Sequence, residues 1–239
     1  MRSKIKLLFR RRDGVDDALL EHRLAAEAGR LEAATTEPLS FCRGYAVADE
    51  ELLHIAAGAF DAADRPFDAM MEIAVPEDGL DILIDLLDGF GERLADCIDP
   101  SASAALAGTE HVILPGSGPM FVLIANRRLP SFTHDAFLEY WLNSHGPFTR
   151  RHTPPEIGFR YRQFHTSVAP TSQLLAATGF MIGDFDGAAE CFYPGAQSVR
   201  DLMRRTEIVD QATEDELKFV DHDRCVTSIF TFSRATGPL

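Results

Sequence analysis

Phe137, Trp141 and His145 stand four residues apart in the stretch Asp135-Ala-Phe-Leu-Glu-Tyr140-Trp141-Leu-Asn-Ser-His145-Gly-Pro147-Phe148. On a helix that spacing stacks two aromatic rings and an imidazole on one face, with Leu138, Leu142 and Phe148 beside them. The apolar neighbours direct this face at a sheet. Imidazole is the side chain whose ordinary pKa lets it give or take a proton near neutral pH. Pro147 disfavours helix at Gly146, so the helix is expected to stop or kink right after His145. That would leave the imidazole at a helix C-terminus, where the dipole favours its protonated form.

The following strand reads Phe159-Arg-Tyr161-Arg-Gln163-Phe-His165. Strand alternation places Phe159, Tyr161, Gln163 and His165 on one face, and Arg160, Arg162 and Phe164 on the other. If the aromatic face meets the helix, then His145, Trp141, Tyr161 and His165 converge, giving an apolar small-molecule site with a few titratable groups. His145 is the candidate acid–base residue, and His165 or Tyr161 would hydrogen-bond a developing oxyanion. Tyr140, Trp141, Phe137 and Gln163 are candidate pocket walls. His152, beside Arg150 and Arg151, is a surface residue that a loop could fold over the pocket mouth. Arg160 and Arg162 are expected to pair with acids between two sheets, and Glu72 and Glu190 to make equivalent structural hydrogen bonds.

The elements around these residues repeat. Shifting the numbering by 118 carries Asp17, Leu20, Glu21 and Leu24 onto Asp135, Leu138, Glu139 and Leu142. It also carries Arg10 to Arg128, and Phe67, Asp68, Glu72 and Pro76 to Phe185, Asp186, Glu190 and Pro194. An ungapped offset of this kind reads as a tandem duplication, 1–115 and 120–239, joined at Pro115-Gly-Ser-Gly-Pro119. The same shift replaces Tyr140, Trp141, His145, Tyr161 and His165 by His22, Arg23, Glu27, Arg43 and Val47. The scaffold recurs, while the reactive groups belong to the second copy alone.

Each copy reads as strand, helix, strand, strand, helix, strand. In the first these are 4–10, 16–31, 40–47, 67–75, a helix opened by Pro76 and running to 95, and 111–114 after a loop at 99–108. An acidic, alanine-rich stretch, 49–65, suggests an added helix. In the second they are 120–126, 133–144, 158–167, an extended 177–193 interrupted by turn-prone Asp184 to Gly187, a helix after Pro194, and 224–234. Two βαββαβ units imply an α+β fold, with ferredoxin-like antiparallel sheets stacked as a pseudo-symmetric barrel.

Composition narrows the function. Of 239 residues, 46% are hydrophobic, which suffices for a buried core. A net charge of −14 argues against nucleic acid, with Arg10-Arg11-Arg12 a local exception read as a solvated strand end. No stretch approaches a membrane span or a secretory h-region, and four scattered cysteines fit reduced thiols, so a cytoplasmic protein is expected. No Gly-rich phosphate loop or metal-ligand spacing is present, so no cofactor and no metal are expected.

Phe137-x-x-Tyr140-Trp141-x-x-x-His145-Gly146-Pro147, followed by Arg160-Tyr161-x-x-x-His165, resembles the signature of EthD-domain proteins. The resemblance is good over 133–167 and extends over 120–234; the first copy resembles a degenerate unit without the His-Gly-Pro element. It implies the dimeric α+β barrel group, whose single domains pair as two ferredoxin-like units. It further implies a cofactor-independent enzyme of small aromatic or polyketide-like compounds. The expected activity is a lyase, of decarboxylase or dehydratase type, with His145 as general acid/base. The alternatives are a cofactor-free monooxygenase of an electron-rich aromatic, and a non-catalytic binding protein of a degradation pathway. A homodimer of tandem chains is the expected assembly.

Overall fold

The computed structural model describes residues 2–35, 39–47, 49–52, 54, 65–75 and 79–232. Eight strands form a closed barrel: β1 (Arg2–Phe9), β2 (Ser40–Ala46), β3 (Ala69–Val75), β4 (Ala104–Leu114), β5 (Met120–Asn126), β6 (Arg160–Thr166), β7 (Gly187–Tyr193) and β8 (Val226–Phe232). Around the barrel the order is β1-β3-β2-β8-β5-β7-β6-β4, and every described ladder is antiparallel. The order β4-β1-β3-β2 in one half is repeated by β8-β5-β7-β6 in the other. The β2–β8 and β4–β6 ladders close the cylinder, so neither half ends in an open edge.

Alternation sorts the side chains into two layers. From β1, Ile5, Leu7 and Phe9 face outward into a core shared with Leu20, Leu24 and Leu31 of α1 (Asp17–Ala34). Leu83 of α2 (Leu80–Leu86) and Phe90 of α3 (Phe90–Arg93) join the same core. Leu8 faces inward and meets Phe121, Phe164 and Phe230 inside the barrel. Lys4 and Lys6 share this inward face and are fully buried. Lys4 binds Glu72 at 2.7 Å and also reaches Glu110, while Lys6 reaches both Glu72 and Glu190. Arg162 completes the set on Glu110 at 3.1 Å, as its strand face predicts. Three cations thus meet three carboxylates. Burial alone would raise Glu72, but the two ammonium groups hold it down at about 2. Glu72, Glu110 and Glu190 lie near enough together to hold a metal ion, yet the ammonium groups already occupy that place.

Several expected elements differ. The strand at 111–114 begins at Ala104, because Ala104 to Gly108 pair with β1 and leave no loop there. The extended reading of 177–193 holds for its latter part, the strand Gly187–Tyr193 after the turn-prone 184–187, but its start is corrected: residues 177 and 178 end a helix, α6 (Val168–Thr178). Pro170 in its first turn, where a missing N–H is tolerated, hid that helix. α6 packs on β4, α2 and α3, so second-half sequence covers first-half surface. The helix after Pro194 is two, α7 (Ala196–Met203) and α8 (Thr206–Glu216). Pro76 and most of 49–65 lie outside the described residues.

The ladders also correct the constant shift. Main-chain N–H groups of Arg11 and Arg128 bind Asp68 and Asp186, an offset of 117 (128 − 11). Phe41 faces Ile73 where Tyr161 faces Cys191, an offset of 120 (161 − 41) in the second strand and 118 (191 − 73) in the third. Tyr161, Gln163 and His165 therefore stand where Phe41, Arg43 and Tyr45 stand in the first half, rather than opposite Arg43 and Val47.

Removing one buried cation should leave two carboxylates underpaired. Lys6→Met is expected to lower the unfolding free energy by about 3–5 kcal/mol, read from urea denaturation midpoints.

Candidate active site

The expected helix at 133–144 begins as α4 (His134–Tyr140), capped by Thr133 Oγ1 accepting from the Ala136 N–H at 3.2 Å. It does not end at His145. One π-turn, Trp141–His145, intervenes, and α5 (Gly146–His152) continues with Pro147 in its first turn. The wide turn closes through the Gly146 N–H on the Trp141 carbonyl and absorbs the proline without a break. The helix-end dipole argument for His145 therefore falls away. The π-turn also adds one residue relative to α1. Buried Leu20, Leu24, Glu27 and Ala28 match buried Phe137, Trp141, His145 and Gly146. Trp141 thus stands in place of Leu24, while His145 does stand in place of Glu27.

The helix face meets the outer face of β6 as expected. Trp141 Nε1 donates to Tyr161 Oη at 2.9 Å, and Gln163 Nε2 donates to the Trp141 carbonyl at 2.9 Å. His165 shares a hydrogen bond with Gln163 Oε1 at 3.1 Å and stacks on the indole at 5.1 Å between centroids. Phe137 and Phe219 pack beside the indole and imidazole. His152 is exposed on the far side of α5; its Nδ1 pairs with the Phe148 carbonyl and its ring stacks on Phe148.

Sequence reasoning missed the partner of His145. Asp215, near the end of α8, accepts from the imidazole Nδ1 at 2.9 Å. Tyr140 Oη and Lys218 Nζ donate to the other carboxylate oxygen at 3.0 and 2.9 Å. The hydrogen bond from His145, helped by those from Lys218 and Tyr140, holds the Asp215 carboxyl well below the usual range. Tyr140 is thus a support of this acid rather than a pocket wall. The bond also fixes the tautomer: Nδ1 carries a proton toward Asp215, and Nε2 is the nitrogen left for exchange. Nε2 lies 3.8 Å from Glu216, whose other oxygen lies 3.4 Å from His222. Asp215 sits in the acidic run Glu214-Asp215-Glu216, and nothing in that run marks one member.

The two other expected catalytic groups differ from His145. Burial, with His111 and His134 nearby, pushes His165 down to about 3, so it stays neutral at physiological pH. That removes it as a proton donor and leaves it a hydrogen-bonding group. Burial pushes the Tyr161 hydroxyl well up, so it keeps its proton and can donate. Three cavities are lined by other residues, two at the barrel mouth and one between α6 and the 183–186 loop. All four cysteines are buried free thiols.

His134, at the first turn of α4, is a further unforeseen group. Its Nδ1 lies 2.8 Å from Asp186 and its Nε2 2.9 Å from the Thr166 carbonyl. Both partners are acceptors, so both bonds exist together only in the imidazolium, tying α4 to the end of β6.

Comparisons with known proteins agree with this frame. Residues 129–223, in the second half, match the EthD domain model. No curated protein sequence matches the chain. Among solved structures, an anthrone oxidase-like protein aligns over 98% of this chain and 92% of its own, with a TM-score of 0.60 and 12% identity. A candidate chlorite dismutase aligns over 98% and 96%, at 0.55 and 13%. A dye-decolorizing peroxidase from Bacteroides thetaiotaomicron aligns over 96% and 92%, at 0.51 and 10%. At such identities the likeness is one of fold, the dimeric α+β barrel. No helix of the described residues is long and apolar enough to cross a membrane.

The His134 clamp should be visible in stability against pH. The hydrogen bond that His134 donates to Asp186 raises its pKa above 6.5, so its contribution is complete below that value and fades as pH rises through the raised one. The stability gap between wild type and His134→Gln is expected to narrow with rising pH in urea denaturation. A gap that does not change with pH would show that folding leaves the His134 pKa unshifted, and a gap that widens would show that the fold holds His134 neutral.

Proposed function

We propose that this chain, with an EthD domain match at 129–223 on an α+β barrel, is an enzyme that processes a small organic molecule by proton transfer at His145. The observation that carries this reading is the His145–Asp215 pair, held under an aromatic layer of Trp141, Tyr161 and Phe219. The first half has a counterpart, Glu27 with Arg93 at 3.1 Å, in which no imidazole takes part. The imidazole pair can cycle a proton; the guanidinium pair cannot.

The favoured reaction is that of a cofactor-independent lyase on a phenolic, aromatic or polyketide-like substrate. In decarboxylation a hydroxylated ring pushes an electron pair toward the carbon that bears the carboxylate, and that carbon takes the proton of His145 Nε2. The bond to the carboxylate carbon then breaks, its electron pair restores the conjugated ring, carbon dioxide leaves, and the hydroxyl proton released by the ring returns to the nitrogen. In dehydration the same nitrogen takes a proton beside a carbonyl and returns it to the departing hydroxide. Tyr161 would donate to the oxyanion formed in either case, with His165 holding Gln163 and Trp141 in place. Asp215 would keep Nδ1 protonated and steady the imidazolium, as a positioning residue. A homodimer belongs to the same reading, although one chain already supplies the paired sheets that single-domain EthD proteins obtain from two.

Incubation with a panel of hydroxylated aromatic acids, followed by mass spectrometry, tests the reading through loss of carbon dioxide or water. His145→Gln should lower kcat by about 10²-fold or more. Asp215→Asn should lower kcat by about tenfold with KM unchanged, the split expected of a positioning group. Oxygen uptake in step with product would replace the lyase by a monooxygenase. Tight binding without product would make the chain a carrier, and undiminished turnover in His145→Gln would remove His145 from the chemistry.

A further inference from the structure

The Arg10-Arg11-Arg12 run ends β1 at a mouth of the barrel, and a cavity of about 710 Å³ opens there. Its floor is apolar, made by Phe67, Phe185, Ile182 and Val226. Phe67 and Phe185 meet edge-to-face at 6.3 Å, and the Arg10 guanidinium lies 4.5 Å over the Phe67 ring. Arg11, Arg12 and Arg65 stand around the rim, with Asp13 and Asp99.

The second half provides an internal control, a cavity of about 250 Å³ beside Arg127, Arg128, Asp184, Asp186 and Arg224. Its cations are matched. Arg127 binds both oxygens of Asp184, at 2.8 and 2.6 Å, and Arg128 binds Asp186. The main-chain N–H groups of Arg12 and Leu129 make corresponding bonds, to the Cys97 and Phe219 carbonyls, so a guanidinium stands where the second half has Leu129. The register of the third strand sets Arg65 in place of Gly183, and Pro66 in place of the acid Asp184. Arg10, deprived of that acid, donates to the Pro66 carbonyl. Ala102 takes the place of Arg224 and leaves the floor open. Arg12 gives its Nε to the Ile98 carbonyl at 3.1 Å, and its terminal nitrogens make no hydrogen bond among the described residues. Asp99, next to Ile98 on that wall, accepts from the main-chain N–H and the hydroxyl of Ser101.

Each exchange adds a donor, removes an acid or makes room, in a chain whose net charge of −14 repels anions elsewhere. Arg65 gives one terminal nitrogen to Asp68 at 2.8 Å, so the donors left above the apolar floor are its other nitrogens and the terminal nitrogens of Arg12. Such an arrangement recognises a flat body that ends in an anionic group. We propose that this mouth is a binding site for a small organic anion. Its carboxylate or phosphate would sit on Arg12 and Arg65, and its body against Phe67, Phe185 and Ile182. The site is separate from His145 and does not depend on the reading of that residue.

Calorimetric titration of the full chain with 1-naphthoate, 1-naphthyl phosphate, 1-naphthamide and inorganic phosphate tests the proposal. The two aromatic anions should bind, and their relative affinity tells carboxylate from phosphate recognition. The neutral amide should bind about tenfold more weakly, or less well still. Arg12→Gln and Arg65→Gln should each weaken the anions by about tenfold, while His145→Gln leaves them unchanged. Both arginines are exposed, so circular dichroism of the variants should match the wild type. Equal binding of acid and amide, full affinity in the double variant, or loss of binding in His145→Gln would overturn the site.

Discussion

The interior of the barrel is held by opposite charges that have no water to turn to. Lys6 of β1 reaches Glu190 of β7 across the cylinder, and Glu110 of β4 binds Arg162 of β6. Each pair joins the two halves, and Lys4 and Glu72 link them into one network. A slip of one residue in any of these strands would exchange the faces and bring a charge out under the helices, into an apolar layer. The cost of an unpaired buried charge therefore fixes register more sternly than hydrophobic contact would. The same network settles what these groups can do. Its carboxylates raise the affinity of Lys6 for its proton against the opposing effect of burial, so this lysine is a strut and not a nucleophile.

Fixed register on the inner face positions the chemistry on the outer face. With Arg162 inward, Tyr161 and Gln163 must point outward beneath α4, where the indole N–H and the Trp141 carbonyl meet them. The π-turn then matters for direction. One residue more than α1 between Trp141 and Gly146 keeps the indole over β6 while turning His145 toward α8 and Asp215. Without that residue the helix would carry its next buried position on the phase of α1, and Pro147 would confront a regular helical turn.

Much of this was legible in the residues. Period-two alternation in 159–165 assigned both faces of β6 correctly, and the spacing of four in Phe137, Trp141 and His145 gave the helix face. The closed sheet followed from two βαββαβ patterns whose bare faces needed cover. Other features lay beyond periodicity. A helix such as α6, with Pro170 in its first turn, reads locally like extended chain. Asp215 is one of three consecutive acids, and only the tertiary approach of α8 to the end of α4 and the π-turn selects it. Registers of 117, 118 and 120 cannot be separated by an ungapped shift, since each is set by a ladder partner far away in sequence.

The two halves clarify one another where their chemistry departs. Glu27 with Arg93 and His145 with Asp215 occupy matching places between the first helix and the end of the second, with the charges exchanged. A clamp is needed at this place in both halves, so a clamp alone explains neither choice of residues. Arg93 keeps its proton at any pH a cell meets and can only hold. Imidazole holds equally well while remaining able to release a proton, and Asp215 is deprived of that proton by Lys218 and Tyr140. The opposite departure occurs at the barrel mouth, where Arg127 and Arg128 are held by acids while Arg12 of the first half keeps its terminal nitrogens beside a hollow. One scaffold thus places an imidazole–carboxylate pair on an outer face of one half and a ring of arginines around a hollow at the strand ends of the other. The barrel carries both because the buried charges that fix its register make no demand on either surface.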